Sequence, residues 1–281
     1  VLIKKIKFRD NLTPLPKITY TLHLMDKLLF AFNITQISLF GLGLICFVTL
    51  FFIPAGYGKM INKKWGFSFN NKAAWFIMEV PTLITMITLM SVWATPENFV
   101  RIIIGSFFLL HYAQRVLIFP FLLKGKSKMP LVVVSMGILF NTINAFLIGA
   151  WLFYLSPREM YQVSWLYDLR FIIGVLIFLV GMAINIDSDK YIRSLRRPGD
   201  DAHYFPHKRM YRYISSANYF GEILEWSGFA LLSWSLVGVL FAFWTAANLV
   251  PRAYAINKKY RIDFPEEFAA LKPKCVFPFI F

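Results

Sequence analysis

The chain has 281 residues, of which 58% are hydrophobic, 18% aromatic and only 16% charged. About a quarter of the residues in a soluble domain are charged, and apolar runs of about 20 residues recur along this chain, so a soluble globular fold is excluded and an all-α, polytopic integral membrane protein is expected. A net charge of +15 would suggest nucleic acid in a soluble protein; here the basic residues cluster between apolar runs, as in cytoplasmic loops, and no nucleic-acid partner is expected.

Residues 1–31 read as a basic, mildly amphipathic extension broken by Pro14 and Pro16, with 18–31 suited to the membrane interface. Residues 32–281 form the membrane domain, with seven candidate transmembrane helices at 34–53, 73–94, 99–123, 130–155, 165–186, 216–234 and 235–256. The last two have almost no loop between them. A continuous helix of about 40 residues would overshoot a bilayer core about 30 Å thick, so a tight turn is expected near 233–236. No internal repeat, cleavable signal or separate soluble domain is expected.

Lysine and arginine mark alternate connections. Lys59, Lys63, Lys64 and Lys72 follow the first span, Lys124, Lys126 and Lys128 the third, and Lys190, Arg193, Arg196, Arg197, Lys208, Arg209 and Arg212 the fifth. The tail adds Lys258, Lys259, Arg261, Lys272 and Lys274, whereas the other connections hold Arg158, with Arg101 and Arg170 just inside the following spans. This asymmetry puts the basic loops and C-terminus in the cytoplasm of a bacterial inner membrane or on the cytoplasmic side of the endoplasmic reticulum. Lys4, Lys5, Lys7, Arg9, Lys17 and Lys27 in the N-terminal extension run against it.

Several polar groups are out of place in such spans. Ionisable groups at membrane depth usually face a partner, a cavity or a ligand. Asn185, Asp189, Arg193 and Arg196 share one helical face, which grades from amide through carboxylate to guanidinium. A long anionic ligand matches that gradient; an Asp–Arg pair with basic anchoring is the alternative. Asn218, Glu222 and Glu225 share a face of the sixth span, either for a ligand or to neutralise Arg252 or Arg212. Glu79 lies about two turns into the second span, and His111, Tyr112, Gln114 and Arg115 lie inside the third. A Glu–Tyr pair can stabilise a developing oxyanion; an interhelical hydrogen bond between the two spans is the bland equivalent.

Weaker signals need little. Gly41 and Gly43 suit close helix packing, and Gly56-Tyr57-Gly58-Lys59 suits a turn with an anchoring lysine. No Gly-rich nucleotide loop of the Rossmann or P-loop kind is present. Cys46 and Cys275 suit neither a disulfide framework nor a metal site, and His203 and His207 have no third ligand and Pro206 between them, so no metal is expected.

The segments INIDSDKYIRSLRRPGD and SSANYFGEILEWSGFALLSW, with AAWFIMEVPT, the His, Tyr and Arg of HYAQR, and the closing YRIDFPEEFAALKPKCVFPFIF, resemble the steroid 5α-reductase (3-oxo-5α-steroid 4-dehydrogenase) family over about 54–281. The resemblance implies a seven-helix membrane enzyme, taken as a monomer, with NADPH buried in the bundle. It implies reduction of the C4–C5 double bond of a 3-oxo-Δ4 steroid, with hydride to C5 and a proton to C4. Carried onto this chain, Glu79 and Tyr112 bind the C3 carbonyl. Asn185, Asp189, Arg193, Arg196, Asn218, Glu222, Arg252 and Tyr260 line the cofactor cavity, with Lys59, Arg115 and Lys126 as further cofactor residues. Trp75, Met78, Phe220 and Trp226 border the substrate.

Departures from the family pattern bear on substrate preference more than on reaction type. Met78 stands beside Glu79 where one mammalian member has Gln, Lys208-Arg209 replaces Gly-Gly, Phe119 stands for a usual Tyr and Ile256 for a usual His. Other conjugated lipid substrates, of the polyprenal or enoyl-thioester kind, are the alternative. A membrane methyltransferase using S-adenosylmethionine would carry Arg-His-Pro where this chain has Arg197-Pro198-Gly199. A channel or transporter has neither a repeat nor a charged ring to support it.

Overall fold

A computed structural model describes residues 16–53, 66–93, 95–125, 127–197 and 202–281. Lys59, Lys126, Gly56, Tyr57, Gly58, Pro198 and Gly199 lie outside the described residues. The chain divides into two units, Val1–Ser38 and Leu39–Phe281. In the first, residues 16–38 are helical, belonging to α1 (Pro16–Phe52).

In the second, β1 (Ser68–Asn70) leads into α2 (Asn71–Trp93). Then come α3 (Phe99–Ala113), a π turn (Gln114–Ile118) and α4 (Phe119–Leu122). Strand β2 (Lys128–Pro130), antiparallel to β1 with Phe69 opposite Met129, leads into α5 (Leu131–Ala150). The chain closes with α6 (Leu169–Ser194), α7 (Ala217–Ser233), α8 (Leu236–Asp263) and α9 (Pro265–Leu271).

The helical membrane architecture is as expected. Among the described residues six helices of at least 18 residues are long and apolar enough to cross a bilayer. The expected span at 216–234 forms α7, of 17 residues, so the count of seven stands unconfirmed. At 1.5 Å per residue it covers roughly 25 Å of a bilayer core about 30 Å thick, antiparallel to α6. Outward-facing Leu139, Phe146, Leu176 and Val180 are exposed, as lipid-facing side chains are.

Three local features position the interior. First, α6 and α7 touch through their backbones. A Cβ on Gly174 would lie 2.5 Å from the Leu232 nitrogen, and one on Gly221 2.5 Å from the Asn185 nitrogen; Gly181 faces Glu225 and Gly228 faces Phe178 just as closely. Small residues permit such approach, and dispersion and polar contacts then hold helices together in lipid. Second, the expected turn at 233–236 is present. Trp234 takes a left-handed φ of 44°, and the Ser235 hydroxyl caps α8 by accepting from Gly238 N at 3.1 Å. The open end of α7 is served from the preceding loop: the Tyr161 hydroxyl donates to Ser233 O at 2.5 Å and Trp165 Nε1 to Leu232 O at 3.0 Å. Burial pushes the Tyr161 phenol up to about 12, so it stays a donor. Third, Pro120 has no N–H to give the Val116 carbonyl, and the turn before it is a π turn. That turn carries Arg115.

Of the two glycines expected at close packing, Gly43 fits: a Cβ there would meet Phe243 at 2.6 Å and Trp244 at 3.2 Å. Gly41 has nothing within 4 Å.

Candidate active site

Five helical segments border a cleft of about 120 Å³. Glu79 enters from α2; His111, Tyr112 and Arg115 enter from α3 and its π turn; Phe140 and Asn141 enter from α5. Opposite them are Glu222 and Trp226 of α7 and one face of α8, including Phe241, Trp244, Thr245 and Asn248. Aromatic rings make the apolar wall: Trp226 lies 4.2 Å from Phe241 and 5.9 Å from Tyr112, centroid to centroid, and Phe140 lies 4.8 Å from Trp244.

Glu79 and Tyr112 therefore border one space. No hydrogen bond joins them among the described residues; instead Asn141 Nδ2 donates to Glu79 Oε2 at 3.1 Å. The sequence reading passed over Asn141, although an amide in the apolar span 130–155 was a visible signal.

A polar network lies at the edge of this cleft, at the junction of α3, α6 and α7. The Arg115 guanidinium donates to Asp189 Oδ2 at 3.4 Å and Glu222 Oε2 at 3.2 Å. Asn185 Nδ2 donates to the Asn218 carbonyl at 2.9 Å and to Glu222 Oε2 at 3.3 Å. Asn218 Nδ2 donates to Asp189 Oδ1 at 3.0 Å and accepts, through Oδ1, from the Tyr211 hydroxyl at 3.2 Å. The graded face of α6 and the polar face of α7 thus meet, across the glycine contacts. Arg115 also lies against two rings, 4.5 Å from the Phe119 centroid and 5.2 Å from that of Trp75. Glu225 is paired with His111.

The remaining candidates are spread around this core. Arg193 continues the α6 face, and its Nη1 is buried without a hydrogen-bond partner among the described residues. Arg196 is half-buried, with its carbonyl accepting from Lys124 Nζ at 2.9 Å. Arg252 Nε donates to the Tyr219 hydroxyl at 2.6 Å. Tyr260 is buried against Phe205 and Phe268, away from the cleft wall. Trp226 lines the cleft; Met78, Trp75 and Phe220 do not. Met78 packs against Ala74, Met129 and Val134, and Phe220 leans toward Phe277 with ring centroids 6.4 Å apart.

The family model described as 3-oxo-5-alpha-steroid 4-dehydrogenase matches residues 127–281. The chain belongs to this family. It is 38% identical over 244 residues to the 3-oxo-5-alpha-steroid 4-dehydrogenase 1 of Bos taurus, covering 85% of this chain and 93% of the relative. The protein of the same name from Homo sapiens is 40% identical, covering 75% and 80% of the two chains. A plant relative, the steroid 5-alpha-reductase DET2 of Gossypium hirsutum, is 34% identical over 89% of this chain and 97% of its own. The chain is accordingly a multi-pass membrane oxidoreductase of the steroid 5-alpha-reductase family, and the polar groups inside its helices are those of an enzyme.

Proposed function

We propose that this enzyme reduces the C4–C5 double bond of a 3-oxo-Δ4 steroid, with NADPH as reductant. The observation that carries the reading is the pairing of Glu79 and Tyr112 on one aromatic-walled cleft whose edge is the Arg115–Asp189–Glu222 network. A flat, apolar ring system suits the wall, and a single carbonyl suits two hydroxyl-type donors.

The residues present fit a pyridine dinucleotide. Arg193 carries a buried, unpartnered N–H, and Asn185, Asp189, Asn218 and Glu222 offer amide and carboxylate groups beside it. These residues, with Arg196, Arg252 and Tyr260, would hold the cofactor; Arg115 would brace the carboxylates, and Lys59 and Lys126 would add charge toward its phosphates. When bound, NADPH supplies the hydride that reaches C5.

The chain does the rest. The neutral Glu79 carboxyl and the Tyr112 phenol donate hydrogen bonds to the C3 carbonyl oxygen. They draw electron density from C5 and hold the oxygen as enolate charge develops on it. Trp226 and Phe241 keep water from that oxygen, which strengthens both hydrogen bonds. Trp75, Met78 and Phe220 back the helices that carry these groups. The basic connections and C-terminus lie on the cytoplasmic side, where NADPH is available, and the enzyme works as a monomer.

The test is a substrate panel with the purified enzyme in detergent, following NADPH absorbance. Testosterone, progesterone or 4-androstenedione should be reduced to the 5α product. Turnover of a polyprenal with none of any 3-oxo-Δ4 steroid would overturn the substrate assignment.

A further inference from the structure

We infer that Asn141 is a positioning residue for the reaction: its side-chain amide engages one carboxyl oxygen of Glu79 and leaves the other, with its proton, for the substrate carbonyl. The inference rests on the role proposed above for Glu79.

The geometry is specific. Asn141 is 7% exposed, on α5, and its Nδ2 carries two hydrogens for two acceptors on α2: Glu79 Oε2 at 3.1 Å and the Met78 carbonyl at 2.9 Å. The orientation of the amide is fixed by chemistry. A main-chain carbonyl can only accept, so the nitrogen and not the oxygen of Asn141 must face Met78. The same NH2 group then reaches the neighbouring carboxyl. One turn earlier on α5, Gly137 lies directly against the Met78 side chain, where a Cβ would collide with it. That close approach sets the α5–α2 separation at the height where Asn141 makes both bonds.

A carboxyl that donates to a carbonyl must carry its one proton on the oxygen that faces the substrate. Oε2 accepts an N–H from Asn141, so a proton there would oppose that donor. The proton belongs on Oε1, which makes no hydrogen bond among the described residues, on a side chain that borders the cleft. Without the amide, both oxygens are equivalent and the carboxyl is free to rotate. Only part of the population then presents a donor to the substrate.

Three variants test this in the full-length enzyme. Asn141→Leu keeps the size and removes the donor; it should lower kcat about tenfold or more, as loss of reactive orientation does, while the KM for NADPH stays within about twofold. On a Glu79→Met background, which has neither an acceptor for Asn141 nor a donor for the substrate, the same change should cost little further in single-turnover rate, because its effect passes through the carboxyl. Asn141→Thr, which keeps one donor, should recover part of kcat, and it carries the same comparison if the leucine variant does not fold. Unchanged kcat in Asn141→Leu, or an equal loss on both backgrounds, overturns the inference and leaves Glu79 in place. Wild-type turnover in Glu79→Met alone removes the underlying role instead.

Discussion

His111 Nδ1 lies 2.8 Å from Glu225 Oε1, with side chains 5% and 0% exposed, and the pair ties α3 to α7 at the cleft wall. The Trp226 indole covers the imidazole at 4.6 Å between centroids, which keeps water from the bond. Glu225 Oε2 is buried without a partner among the described residues, so the carboxyl depends on His111. A buried polar group left unpaired costs about 1–3 kcal/mol. Glu225→Ala should lower stability by about that amount, read as thermal unfolding in detergent, and Glu225→Gln, which keeps an oxygen for the imidazole, should cost less.

Glu79→Gln and Tyr112→Phe separate chemistry from binding. Tyr112→Phe removes one donor to the developing oxyanion and Glu79→Gln replaces an acidic O–H with a much less acidic amide N–H; loss of such a donor is worth about 10²–10³ in kcat at comparable sites. NADPH affinity, measured by titration, should remain near wild type, because neither side chain belongs to the Asn185–Asp189–Asn218 network.

Arg115 is the cation that the buried Asp189 and the half-buried Glu222 carboxylates share. Arg115→Met should destabilise by about 3–5 kcal/mol, since it strands both charges. Arg115→Lys keeps the charge but cannot reach two carboxylates in a planar fork while lying against Trp75 and Phe119, so it should recover only part of the loss. Adding Glu222→Gln to Arg115→Met should restore some stability, and unfolding curves of the four proteins measure the coupling.

Gly221 and Gly41 form a matched pair for testing helix contact. Gly221→Ala forces a methyl into the Asn185 backbone and should lower both the unfolding temperature and NADPH affinity. Gly41→Ala meets nothing within 4 Å and should be neutral, or more stable by up to about 1 kcal/mol through helix propensity.

What the sequence showed and withheld follows from the range of each interaction. Glu79, Tyr112, Asp189 and Glu222 were visible because a charge or phenol within an apolar run is conspicuous at its own position. The turn at 233–236 followed from length alone. Pairing was not visible. Spacing on α6 offered Asp189 to Arg193, four residues on, but its close partner is Arg115, 74 residues away. Glu222 was weighed against Arg252 and Arg212, yet it meets Arg115, 107 residues away. Asn141 stood 62 residues from Glu79, in the candidate span 130–155. The seventh span was counted from hydropathy, which reports apolarity; α7 has 17 residues, and its polar first turn is occupied with Asn185, Asp189 and Tyr211.

The backbone contact between α6 and α7 has a mechanical consequence. Four glycines alternate across that seam, Gly174 and Gly181 against Gly228 and Gly221, with no side chain between to act as a bearing. Helices locked this way cannot slide or part without colliding, so the two move as one plank. Any breathing that admits a substrate falls to the side where α5 and α8 meet through the rings of Phe140, Phe241 and Trp244. Rings can turn about χ1 and χ2 while the plank, and the polar network of Asn185, Asp189, Asn218 and Glu222 fastened to it, stays still.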